Sequence, residues 1–180
     1  MNRAEKICIL HSSMGTYDLC RCCFSYDDNY WYFYILDHSD KLLLGIEEDD
    51  FILDGFQIRK ISDLKKIEIN DGICAKINEE KKLLENIKKP NIDLSSWKAV
   101  FGSLKTLNIL IIIENENNDD RFFYVGYLSK IKNSSVIFSA IDADGTWNDN
   151  IEIKYSRITS VTFGDRYSTT WQKYLIQNEI

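Results

Sequence analysis

The chain has 180 residues, with 22 Lys and Arg against 28 Asp and Glu, a net charge of −6, 44% hydrophobic residues, 8 Gly and 1 Pro. Domains of ~50–200 residues each bury a core, so this length allows one domain or two of about 90, and so little Pro and Gly argues against long flexible linkers. The acidic balance disfavours a protein that holds nucleic acid through phosphate contacts, because each contact needs a Lys or Arg; a basic partner fits better.

No apolar leader follows Met1-Asn2-Arg3. The longest apolar run, Leu107–Ile113 broken by Asn108, falls well short of the ~18 residues of a membrane span. A cytoplasmic protein with no membrane partner is expected. Five cysteines, Cys8, Cys20, Cys22, Cys23 and Cys74, form an odd set without framework spacing, which fits reduced thiols.

In chain order, Ala4–Leu10 reads as a short helix. Strands follow at Leu19–Ser25, at the aromatic-rich Tyr30–Leu36, at Lys41–Ile46, at Ile52–Arg59 and at Leu64–Ile69. Asp54-Gly55 marks a bulge or bend inside the fourth strand. Beyond Asn70-Asp71-Gly72 the period becomes helical, predicting a helix over 73–88 that Pro90 stops. Asp93 is the expected N-cap of a helix over 94–104, with Leu94, Trp97, Phe101 and Leu104 on one face. Leu107–Ile113 and Arg121–Ile131 read as strands joined by the polar Glu114–Asp120. The stretch Ser134–Tyr167 then carries three strand-like runs, the first two separated by Asp144-Gly145, before a terminal helix over 166–176.

The two halves repeat this order at an offset of about 94 or 95 residues. Leu64, Ile67, Ile69 and Asp71 answer Ile158, Val161, Phe163 and Asp165, and Phe56 and Ile58 answer Ile151 and Ile153. The expected fold is mainly β, of the α+β class. It consists of two tandem five-stranded small antiparallel barrels with flanking helices, because short twisted strands remove their free edges by closing. The first barrel and its closing helix are expected over 1–88, and the second, with helices at both ends, over 91–180.

A helix followed by a bent five-stranded sheet resembles the Sm-like and SH3-like small barrels. The pair IDADGTWNDNIEIKYSRITSVTFGDRY and IEEDDFILDGFQIRKISDLKKIEINDG resembles a group of bacterial proteins that share an I-D-x-x-G-x-W-D-G-Y-I-x-I-x-x-x-D-I run. The shared residues are those of turns and strands, so the resemblance carries fold more than function. Small tandem β-proteins of this kind also resemble the immunity partners encoded beside secreted bacterial toxins, as in contact-dependent growth inhibition.

Chemistry is sparse in the sequence. Cys20 and Cys22 face one way on a strand and Cys23 the other, and no second Cys/His pair stands at ligand spacing, so small hydrophobes are expected rather than zinc. His11 and His38 lack a motif. Asp142-x-Asp144-Gly145 departs from a calcium loop, whose Gly is sixth and whose flanks are helices. No phosphate loop, nucleophile elbow or zinc-protease run occurs, so neither a cofactor, a metal nor an enzyme activity is expected. What remains is a pair of acidic turns, each with an aromatic: Glu47, Glu48, Asp49 and Asp50 beside Phe51, and Asp142, Asp144 and Asp149 beside Trp147. Such turns suit a basic protein, since charge steers encounter and a desolvated aromatic holds the complex. The expected function is therefore that of an immunity protein covering the basic active site of a cognate toxin, most simply a nuclease. The alternative is an Sm-like nucleic-acid-binding module, and a third reading, an enzyme, lacks a converging acid/base pair.

Overall fold

Asn2 opens the chain with a capping box. Its side chain accepts the Glu5 amide N–H at 3.0 Å, and the Glu5 carboxylate accepts the Asn2 N–H at 2.9 Å. The helix so started, α1 (Arg3–Thr16), runs well past the predicted Leu10 and ends where Tyr17 takes a left-handed φ of 54°. The structure, a computed structural model, describes residues 1–178. It comprises two units, Met1–Asn91 and Ile92–Ile180.

In the first unit α1 is followed by β1 (Leu19–Phe24), β2 (Tyr30–His38), β3 (Leu42–Asp49), β4 (Ile52–Lys60), β5 (Leu64–Ile69) and α2 (Ile73–Glu80). Neighbours in the sheet are antiparallel, in the order β5-β1-β2-β3-β4. Period-two alternation sends Cys20, Cys22 and Phe24 of β1 and Phe33 and Ile35 of β2 to one face, where they form a core with Leu10, Leu43, Leu64 and Ile67. α2 stops at Glu80 rather than at 88. Lys82 takes a φ of 54°, and the Lys82 and Leu83 amides turn back to the Glu79 and Asn78 carbonyls, closing the helix before the apolar Leu84 and Ile87 could extend it.

The second unit repeats the plan with α3 (Trp97–Leu107), β6 (Ile111–Asn115), β7 (Phe122–Ile131), β8 (Ser135–Ile141), β9 (Ile151–Lys154), β10 (Ser160–Phe163) and α4 (Arg166–Gln177), in the sheet order β10-β6-β7-β8-β9. The cap of α3 is Ser96, whose hydroxyl accepts the Ala99 N–H at 3.2 Å. Asp93, the expected cap, instead accepts the Ser95 N–H in the turn before it. α3 also claims Leu107. The strand expected from that residue starts only at Ile111, after Asn108 has ended the helix at a φ of 49°.

The hydrogen bonding leaves each sheet open where closed barrels were expected. Among the described residues β5 pairs within its unit only with β1, and β10 only with β6. The first sheet is nonetheless curled, by a simple length argument. Four strand spacings of ~4.8 Å would put β4 and β5 ~19 Å apart in a flat sheet, whereas the four residues from Lys60 to Leu64 reach at most ~14 Å. The corner is pinned in both units by matching bonds, Ile61 N–H to the Lys41 carbonyl at 2.8 Å and Tyr155 N–H to the Ser134 carbonyl at 3.0 Å. The register matches as well. Cys20 and Cys22 lie opposite Ile69 and Ile67, and Ile111 and Ile113 lie opposite Phe163 and Val161. The two buried thiols of the first unit thus occupy the positions of isoleucines in the second.

Candidate functional site

The acidic run Glu47–Phe51 is the tip of the β3–β4 hairpin. Asp49 pairs with Ile52, leaving Asp50 and Phe51 as a two-residue turn with φ of 48° and 67°. A turn with both central residues at positive φ matches the twist of the strands but favours Asn-Gly, and a bulky residue there is strained. Local bonds hold it in place. The buried Glu48 carboxylate accepts the Phe51 N–H at 2.7 Å, and the Lys81 ammonium stands 5.2 Å from the centre of the Phe51 ring.

Behind the tip, β4 carries one residue more than β3 between the pairs Ile46–Phe56 and Glu48–Leu53, and Gly55 takes a φ of 80° in this expected bulge. Gln57 and Arg59 then lie opposite Gly45 and Leu43, on the core face. Arg59 has no exposed surface. Its Nε donates to the Gln57 side-chain carbonyl at 2.8 Å and a terminal nitrogen donates to the Tyr26 hydroxyl at 2.6 Å, while the Gln57 amide donates to Glu47. The guanidinium also lies 4.6 Å and 4.7 Å from the ring centres of Trp31 and Phe24, so aromatic faces stand in for water around the charge. Glu47 is thereby tied, through Gln57, to the middle of the core. The sequence pattern singled out none of these partners. A Gln-x-Arg pair at strand spacing just after an Asp-Gly bulge was the available signal.

Glu47–Phe51 face Tyr30, Trp31 and Tyr32 of β2 and Cys74 of α2 across a cleft of about 380 Å³. None of the described residues lining it is basic. Trp31 is tethered through its indole N–H to Asp27 at 3.0 Å. The Asn29 amide, and then that indole, hold the Asp27 carboxyl below its ordinary range. Tyr30 stays about half exposed, with the Arg21 guanidinium 4.5 Å over its ring.

The second acidic loop is built differently. The Asp142 carboxylate accepts the Asp144 and Thr146 N–H groups, both at 2.9 Å, and Gly145 takes a φ of 83°, so Asp142 organises its own turn. Trp147 is half-buried, stacked on Tyr127 at 5.8 Å, and packs on the second core with Leu110, Val125 and Leu175. Asp144 and Asp149 are exposed. The structure thus gathers Glu47, Glu48, Asp49, Asp50 and Phe51 around one cleft, while Asp142, Asp144, Trp147 and Asp149 belong to a loop of the other unit.

Cys20 and Cys22 are fully buried, and burial pushes both thiols up, Cys20 to about 11. Among the described residues no group of three or more His, Cys, Asp or Glu is arranged to hold a metal ion, and no helix is long and apolar enough to cross a membrane. Comparison with known proteins finds no matching family model, no matching curated protein and no matching solved structure.

Proposed function

We propose that this protein acts by binding rather than by turnover, as a cytoplasmic immunity protein that neutralises a cognate bacterial toxin with a basic, nuclease-type active site. The observation that carries the reading is the cleft at the β3–β4 tip, where the run Glu47–Asp50 and the aromatics Tyr30, Tyr32 and Phe51 surround about 380 Å³ with no basic residue among the described residues that line it. Carboxylates steer a cationic partner into place, and aromatic rings supply the desolvated contact area that dominates interface energies. A nuclease active site must be positive to hold phosphate, which makes it complementary to this surface. The strained Phe51 fits the same reading, since backbone strain concentrates at positions kept for function. The first unit, with its curled five-stranded sheet, and the second, with the same strand order, are each read as a small Sm-like barrel presenting such loops. Asp142, Asp144 and Asp149 on the second unit offer a further acidic contact.

The test is reversal of Glu47, Asp49 and Asp50 to Lys, with association measured against a basic nuclease-type toxin domain, at low and high salt, and with protection of cells carrying that toxin. Association at low salt should slow by about tenfold or more, with a smaller effect at high salt. An unchanged rate and unchanged protection by the folded variant would remove the cleft from the interface. The nucleic-acid reading has one observation in its favour, the exposed Tyr30 under Arg21, but Glu68 pairs with both Arg21 and Lys66 and offsets one of their two positive charges, leaving little basic charge there for phosphate.

A further inference from the structure

The first unit holds a second cavity, of about 500 Å³, where the end of α1, the start of β1, the end of β5, and α2 with the turn after it converge. It shares no lining residue with the cleft beside Phe51. Its apolar wall includes Leu19, Ile69 and Leu83, and its charged lining is unbalanced. Lys82 lies 3.8 Å from Glu85, which leaves the carboxylates of Asp18, Asp71 and Glu79 against Lys76. Asn78 also lines the cavity, and it is only 2% exposed. Its amide nitrogen donates to the Tyr34 hydroxyl at 3.0 Å, and its side-chain oxygen has no partner among the described residues. A buried carbonyl oxygen left unpaired is costly, and few native side chains are left so without reason.

We propose that this cavity is a binding site for a small aliphatic amine, an ammonium group on a methylene stem of the polyamine class. The Asn78 oxygen accepts one ammonium N–H, the excess carboxylates supply the counter-charge, and the leucine and isoleucine wall takes the methylenes. The volume lies within the ~300–1,000 Å³ of small-molecule sites. An acceptor without a partner and a lining with excess negative charge together disfavour carboxylates and phosphates, which bring acceptors and negative charge of their own.

The experiment is an NMR titration of the whole chain with 1,5-diaminopentane, following the Asn78 side-chain amide, with glutarate as a dianion of similar length. The diamine should give a saturable shift at millimolar concentration or below, and glutarate none. Asn78→Leu should weaken diamine binding by about tenfold or more. The double variant Asp71→Asn, Glu79→Gln, at exposed positions, should weaken it by about threefold. If circular dichroism shows Asn78→Leu unfolded, the double variant decides alone. Absence of a saturable shift, an equal response to glutarate, undiminished binding by folded Asn78→Leu, or unchanged affinity of the double variant would each overturn the proposal.

Discussion

Arg59 is the residue on which the candidate cleft rests. A buried guanidinium is tolerable only because Gln57, Tyr26 and the faces of Trp31 and Phe24 surround it, and removing it leaves these polar groups and a void in the core. Arg59→Ala should therefore destabilise the protein by about 3 kcal/mol or more in urea unfolding. A loss under about 1 kcal/mol would mean that the site relaxes around the change. The thiols provide a second test at this scale. Burial raises Cys20 from 9.0 to about 11, so the folded state holds its proton more tightly than the unfolded one. The stabilisation is complete below pH 9 and is lost as pH rises through 11, with Cys22 acting in the same direction. Stability should accordingly fall across that window, and less steeply in Cys20→Ala. In the native protein at pH 8 a thiol reagent should modify the exposed Cys8 well before Cys20 or Cys22, and equal rates at all three would contradict the burial.

At the scale of elements, the β3–β4 hairpin sets a local preference against a proposed function. Asp50 and Phe51 occupy positions that suit Asn and Gly. The double substitution Asp50→Asn, Phe51→Gly should raise stability by about 0.5–1 kcal/mol through relief of positive-φ strain, while weakening the proposed toxin binding by removal of the Phe51 ring. A variant that loses stability would show that the contact of the Phe51 ring with Lys81 outweighs the strain. The same hairpin shows how far local pattern reaches. The acidic turn was legible in Glu47–Phe51 itself and the bulge in Asp54-Gly55. The seat of Phe51 was not, because Tyr30 and Tyr32 come from a strand some twenty residues earlier and meet it only through the β2–β3 register. The length of α2 was misread for a related reason: apolar spacing continues to Ile87, but the left-handed turn at Lys82 ends the helix at Glu80.

At the scale of the molecule, the segment between the two units offers a direct test of the division. Lys82 and Lys88 are exposed outside regular structure, whereas Lys89 is paired with Asp37 at 2.5 Å and precedes Pro90. Limited trypsin treatment should therefore cut first after Lys82 or Lys88, giving two fragments of similar size. A first cut inside β1–β5 or β6–β10 would contradict the division. The repeated order of helix, five strands and helix was legible in the sequence, because period-two alternation, Asp-Gly turns and capping residues report constraints between near neighbours in the chain. Trp147 shows where such reading ends. The sequence marks it as an aromatic in an acidic loop, and the fold stacks it on Tyr127 against the second core. Open sheet order, the destination of Arg59, the cleft at Phe51 and the unpaired oxygen of Asn78 were likewise decided by tertiary structure alone. Each depends on which distant strands and helices are brought face to face, and the burial of a charge or the shape of a cavity belongs to that juxtaposition rather than to any local run of residues.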